Sequence, residues 1–153
     1  MKWTQADLDK KRKKANKQRV KKTYQATEHQ LQAAFVKWTR MPSILKKYPS
    51  LKLLYAIHNG GKRHISVAKK LKNEGTNPGI PDICLPVGFN GNDYNYHALY
   101  IEFKAITGKL SPEQREKINL LEAENNYVYV CYGDWLKAKK VVIHYLSDSV
   151  VNE

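Results

Sequence analysis

Cysteine is scarce in this chain: of 153 residues only Cys84 and Cys131 carry a thiol. They lie in separate apolar runs with no CxxC spacing, which argues against a zinc ribbon or a disulfide framework and reads as two buried thiols in a reducing compartment. Long apolar runs are missing too. No stretch approaches the roughly 20 apolar residues that span a bilayer, and the first residues lack the apolar core of a secretory signal. A soluble, intracellular, cytoplasmic protein with no membrane partner is therefore expected. The five histidines, at 29, 58, 64, 97 and 144, include no pair at metal-binding helical spacing. Internal repeats are absent. Acids are nearly missing from one end: residues 1–26 hold 10 Lys/Arg against two Asp, which leaves 17 Lys/Arg against 12 acids in the other 127 residues.

That imbalance divides the chain into a basic arm, 1–26, and a body, 27–153, of a size for one domain with one core. The run Lys10-Lys11-Arg12-Lys13-Lys14, continued by Lys17, Arg19, Lys21 and Lys22, suits a polyanion, with nucleic acid the usual partner. A solvated tail with no dedicated partner is the plainer alternative. A membrane-surface helix is disfavoured, because residues 9–23 lack an apolar face.

In the body, Thr27-Glu28-His29-Gln30 has the form of a capping box, and Leu31, Ala34, Phe35 and Trp38 follow at helical spacing, predicting a helix over 28–39. Pro42 and Pro49 are expected to fence a loop. The run 51–57 reads as the first strand, His58-Asn59-Gly60-Gly61 as its turn, and 62–73 as a short basic helix ending near Gly75. Strands follow at about 80–87 and 96–105, joined by a polar hairpin loop over 88–93. Ser111-Pro112-Glu113-Gln114 is a second capping box, opening a helix that Asn125-Asn126 closes. Residues 127–132 form a strand, and Asp134 caps a last helix with Trp135, Ala138, Val142 and Tyr145 on one stripe. The order predicts a mixed α/β domain around a four-stranded sheet flanked by helices.

Chemistry concentrates in Pro81-Asp82 and, twenty residues on, Glu102-Phe103-Lys104. In the strand 98–104 side chains alternate, so Leu99, Ile101 and Phe103 face one way and Glu102 and Lys104 the other. If the 80–87 strand pairs with it, Asp82 comes within reach of Glu102. Two carboxylates and the main-chain carbonyl of Phe103 offer a divalent ion hard oxygen ligands while leaving positions for water and a phosphate oxygen. Lys104 is placed to orient that water or to stabilise the transition state, with a pKa expected to fall on desolvation. An ordinary surface salt bridge between an acid and a lysine is the dull reading.

Other candidates are weaker. Glu28 shares a helix stripe with Leu31, Phe35 and Trp38, and a charge facing a core wants a partner, although an acid in a first turn also suits the helix dipole. Gln32 lies one turn further on. Gln114 shares a face with Ile118 and Leu121, so it can reach the site or DNA, but its place in the capping box accounts for it without function. The turn Asn59-Gly60-Gly61 feeding Lys62 and Arg63 can hold a phosphate with backbone amides and cations, or be only a tight turn before a solvated helix.

The order of elements, together with Pro81-Asp82 and Glu102-Phe103-Lys104, resembles the PD-(D/E)XK nuclease superfamily. More narrowly, five segments resemble the VRR-NUC family: Glu28 and Gln32, residues 58–63, Gly75 with Pro78-Gly79-Ile80-Pro81-Asp82, Tyr100-Ile101-Glu102-Phe103-Lys104, and Ser111-Pro112-Glu113-Gln114, together spanning about 27–146. The resemblance implies a restriction-endonuclease-like core using Mg²⁺ or Mn²⁺, with Glu28 aiding a second metal or a metal-bound water. Its small stand-alone members, several of them viral, act as homodimers on branched DNA such as Holliday junctions, in the host cytoplasm for a viral protein. Resolving a four-way junction takes two symmetric cuts, and one short domain carries one active site, which also favours a dimer. Flap, nicking or restriction-type cleavage on the same fold stays open, as does a non-catalytic nucleic-acid-binding module.

Overall fold

The structure, a computed structural model, describes residues 25–58, 65–91 and 93–147. Helix α1, Glu28–Thr39, starts where Thr27 and Gln30 close a capping box and buries Leu31, Phe35 and Trp38. Where a loop was expected, Pro42 at the first helical position opens a short helix α2, Pro42–Lys47. Pro49 then opens a 3-10 turn, Pro49–Leu53. That turn takes the first half of the predicted 51–57 strand, so β1 is only Tyr55–Ala56. A proline fixes φ for a helical turn and buried Leu51 anchors it, which outweighs the β tendency of the apolar run.

Helix α3, Ile65–Asn73, ends before Gly75, whose φ of +89° lets the Thr76 N–H return to the Leu71 carbonyl. Strand β2 is Ile83–Leu85, shorter than the expected 80–87 because Pro81 and Pro86 have no N–H to give a ladder. The expected plain hairpin loop instead holds a ribbon of β3, Phe89–Asn90, and β4, Asn95–Tyr96. Strand β5 is Leu99–Lys104, helix α4 Pro112–Ala123, strand β6 Tyr127–Tyr132 and helix α5 Trp135–Ser147.

The central sheet runs β1-β2-β5-β6. Its first two pairings are antiparallel and β5 pairs with β6 in parallel, so the sheet is mixed and four-stranded as the sequence implies. Leu99, Ile101 and Phe103 are wholly buried beneath α1 and α5, and the Phe35 and Phe103 rings meet at 5.5 Å between centroids. Ala138, Val142 and Tyr145 complete this layer from α5, with half-buried Trp135 beside them. The opposite sheet face carries Tyr100, Glu102 and Lys104, and the first turn of α4 comes down on it. Cys84 and Cys131 are free, buried thiols. Among the described residues no helix is long and apolar enough to cross a membrane.

Candidate active site

Strand alternation sends Glu102 and Lys104 to the face away from the aromatic core, yet both are almost wholly buried, at 1% and 6% exposure. The register Ile83↔Ile101 ends the β2–β5 ladder just before Glu102, and beyond it the Phe103 N–H turns to a side chain, donating to Asp82 Oδ2 at 2.9 Å. Asp82 thus stands at the entrance of β2 against the Glu102-Phe103 backbone, as the spacing implies. In a strand the N–H and C=O of one residue project to the same edge, so the Phe103 carbonyl shares the Asp82 side.

Lys104 Nζ lies 2.7 Å from Glu102 Oε1 and 3.8 Å from Glu28 Oε1. Glu28 reaches past the end of β5, where its Oε1 also accepts the Ala105 N–H at 3.3 Å, and Gly108 leaves room for it: a Cβ there would come within 3.1 Å of that oxygen. The glutamate therefore sits at the end of the α1 stripe rather than inside the core, with its side chain half-exposed. Gln32 is half-buried one turn on and is not among the groups hydrogen-bonded to these carboxylates. From α4, Gln114 does two things with one amide: its Oε1 accepts the Ser111 N–H at 3.0 Å, and its Nε2 donates to Glu102 Oε1 at 2.5 Å.

Glu102 Oε1 is thus held twice, whereas Oε2 is buried with no hydrogen-bond partner. Such an atom is costly unless a cation or proton meets it. Three carboxylates, Glu28, Asp82 and Glu102, face one ammonium. Burial, reinforced by the Asp82 charge, pushes Glu102 up to about 7 despite the opposing hydrogen bond from Lys104. Asp82 is also raised, chiefly by burial, with the Phe103 amide and Lys104 pulling the other way. Lys104 corrects the sequence expectation: burial lowers its pKa, but the hydrogen bond to Glu102 and the charges of Glu102, Glu28 and Asp82 outweigh this and leave it above its ordinary value. The lysine is a firmly protonated ammonium.

Gly79, not among the expected site residues, joins the site through its backbone. Gly79 has φ +89°, and a Cβ there would stand 2.7 Å from the Glu113 carbonyl oxygen and 3.2 Å from the Gln114 nitrogen. The loop leading to Asp82 and the turn carrying Gln114 therefore pack backbone to backbone, which only glycine permits. The expected phosphate-holding residues Asn59, Gly60, Gly61, Lys62 and Arg63, and the arm residues Lys10, Lys11, Arg12, Lys13 and Lys14, lie outside the described residues.

The donor set suits a hard divalent cation in chemistry and charge: Asp82, the orphaned Glu102 Oε2 and the edge that Phe103 presents all offer oxygen. Among the described residues no three His, Cys, Asp or Glu side chains are gathered to hold a metal, so main-chain oxygen and water would complete the shell.

Sheet and helices define an α/β domain with a buried acid–lysine centre on one sheet face. The VRR-NUC domain matches residues 11–135, most of the chain, and the protein belongs to the VRR-NUC family, which makes it a nuclease-type domain. The match begins inside the basic arm. A solved structure described as a VRR_NUC domain protein has a TM-score of 0.60 to this chain at 24% identity, covering 80% of this chain and 89% of the other, a likeness that speaks for the fold alone. No curated protein matches the sequence.

Proposed function

We propose that this chain is a Mg²⁺- or Mn²⁺-dependent endodeoxyribonuclease of the PD-(D/E)XK type that cuts branched DNA, acting as a homodimeric Holliday-junction resolvase. The observation that carries the reading is the buried Glu102 Oε2, unpartnered beside Asp82 while its twin oxygen is held by Lys104 and Gln114. Asp82, Glu102 and the Phe103 carbonyl would hold the ion, which when bound offsets negative charge on the phosphate and acidifies water.

The chain's own groups do the rest. Gln114 and Lys104 hold Oε1 of the Glu102 carboxylate, which leaves Oε2 as the oxygen that would meet a cation. Lys104, protonated and held within the acidic cluster, donates to a phosphate oxygen or to the attacking water and stabilises the charge that builds up at phosphorus. Water oxygen bonds to phosphorus, the P–O ester bond breaks, and the proton lost by water balances the one gained by the leaving alkoxide. Glu28, half-exposed at the rim, accepts a hydrogen bond from water entering the site. The basic arm, with its five consecutive cations from Lys10 to Lys14, adds salt-sensitive grip on the DNA backbone.

The test is cleavage of labelled four-way junction, flap and linear duplex, with Mg²⁺, Mn²⁺ or chelator, beside Glu102→Ala and Lys104→Ala. Metal-dependent paired incisions in the junction, lost in both variants, support the resolvase. Flap or duplex cutting by a monomer would move the substrate assignment, and intact DNA in every lane despite binding would leave a binding module.

A further inference from the structure

The sheet face that carries Glu102 is roofed at one side and open at the other. Across it runs a row of residues paired in register, Tyr55, Cys84, Tyr100 and Val128, on strands β1, β2, β5 and β6. Paired residues project to one face, and Tyr100 is two positions from Glu102 on β5, so the whole row shares the Glu102 face. Helix α4 packs against β6 and reaches Glu102 through Gln114, and Val128 at that end is 9% exposed. Tyr55, at the other end, is 50% exposed. Its ring is not loose, because the hydroxyls of Tyr55 and Tyr100 both hydrogen-bond the buried Cys84 sulfur. Cys84 is the neighbour directly across the ladder, so the ring is tied at both ends and leans over β2. Two residues along β2 and β5, roughly 7 Å away, stand Asp82 and Glu102. Strand β1 continues beside them, with the Ile57 N–H donating to the Asp82 carbonyl at 2.8 Å.

A phosphate held at Asp82, Glu102 and Lys104 brings its flanking nucleotides over this face. Helix α4 closes the β6 side, so a neighbouring nucleotide lies over β1 and β2, where it meets Tyr55. A half-exposed aromatic ring whose hydroxyl is already engaged has its face left to offer, and the face of a nucleobase is its chemical match. Resting on the nuclease reading above, we infer that Tyr55 is a substrate-binding residue that stacks on the base of a nucleotide next to the phosphate that is cut. Cys84 and Tyr100 hold the ring in place for it. In continuous duplex both faces of a base are covered by its neighbours, so the contact needs a base freed from the stack, as at a branch. Phosphate contacts carry no such preference.

The test uses the full chain in chelator, with DNA carrying 5-iododeoxyuridine at successive positions around a branch or within continuous duplex. Irradiation should join one or two neighbouring branch positions to Tyr55, identified by mass spectrometry of the digested adduct, and none of the duplex positions. Tyr94, 66% exposed and stacked on Tyr96 of the β3–β4 ribbon, is the internal control and should stay unmodified. In cleavage, Tyr55→Ala should raise KM on branched DNA roughly tenfold with kcat little changed, and Tyr55→Phe should stay close to the parent. Adducts spread over Tyr55 and Tyr94 alike, adducts formed equally from duplex positions, no adduct on bound DNA, or an unchanged KM would overturn the contact. So would a fall in the sedimentation mass of Tyr55→Ala, which would give the edge at β1 to a second copy of the chain. Branch adducts on Tyr55 without any cleavage by the parent sink the nuclease reading and keep the contact, and cleavage without adducts does the reverse.

Discussion

Helices α1 and α4 begin with the same device and use it differently. In both, a hydroxyl caps the N3 amide and the N3 glutamine side chain returns to the cap N–H: Thr27 with Gln30, and Ser111 with Gln114. In α1 the N3 glutamine is exposed, and the site contact comes from Glu28, which reaches Lys104 and the Ala105 amide. In α4 the glutamine itself spans cap and site, with its oxygen on Ser111 and its nitrogen on Glu102. A capping box is a local bargain, and whether its spare donor meets anything depends on what lies within reach when the domain is assembled.

The largest effect should come from removing what the two helices converge on. Glu102→Gln and Lys104→Ala should each lower metal-dependent cleavage by more than about a hundredfold, with circular dichroism unchanged; residual activity near the parent would detach both helices from catalysis. The two glutamines then separate. Gln114→Ala should cost about 10–100-fold in cleavage, in the range of outer-shell partners of a metal site, whereas Gln30→Ala should leave the rate alone. Equal rates for the pair would reduce both boxes to caps.

The charge that Gln114 helps to hold has its own signature. Folding retains a proton on Glu102 between its ordinary value of 4.5 and about 7. Within that window the folded state binds more protons than the unfolded one, so metal-free stability should be greatest below about 4.5 and fall as pH rises towards 7. Raised Asp82 acts in the same sense. Urea melts of the parent and of Glu102→Gln across this range measure it, and the slope should flatten in the variant. Added Mg²⁺ should restore stability more at pH 7.5 than at pH 5.

Backbone contact supplies a further contrast. Gly79 and Gly75 share φ +89°, but a Cβ at Gly79 meets α4 and one at Gly75 meets nothing within 4 Å. Gly79→Ala should cost roughly 1–3 kcal/mol and lower cleavage, whereas Gly75→Ala should cost about 1 kcal/mol and spare it. The smallest effects belong to the cap hydroxyls. Thr27→Ala and Ser111→Ala should each cost about 1 kcal/mol in thermal melts, and only Ser111→Ala should also slow cleavage.

Much of this was legible locally. Capping chemistry marked the starts of α1 and α4, alternation put Glu102 and Lys104 on one face of β5, and Asp134 marked α5. Proline was where the reading failed: Pro42 and Pro49, expected to fence a loop, each opened a helical turn, the second taking half of the strand expected over 51–57, and Pro81 and Pro86 trimmed β2 where the apolar run continued. The lysine pKa went the wrong way because burial was foreseen while the crowd of three carboxylates around it was not.

By itself the sequence determined the α/β order, the acid pair and lysine, and the two capped helices, because these rest on periodicity and on contacts within a few residues. Only the tertiary structure decided that Asp82 would accept the Phe103 amide, that Gln114 would reach Glu102, and that Glu102 Oε2 would be left buried without a partner. Each of those joins segments distant in the chain, and their distances are set by strand register and by the backbone approach at Gly79, which no local pattern encodes.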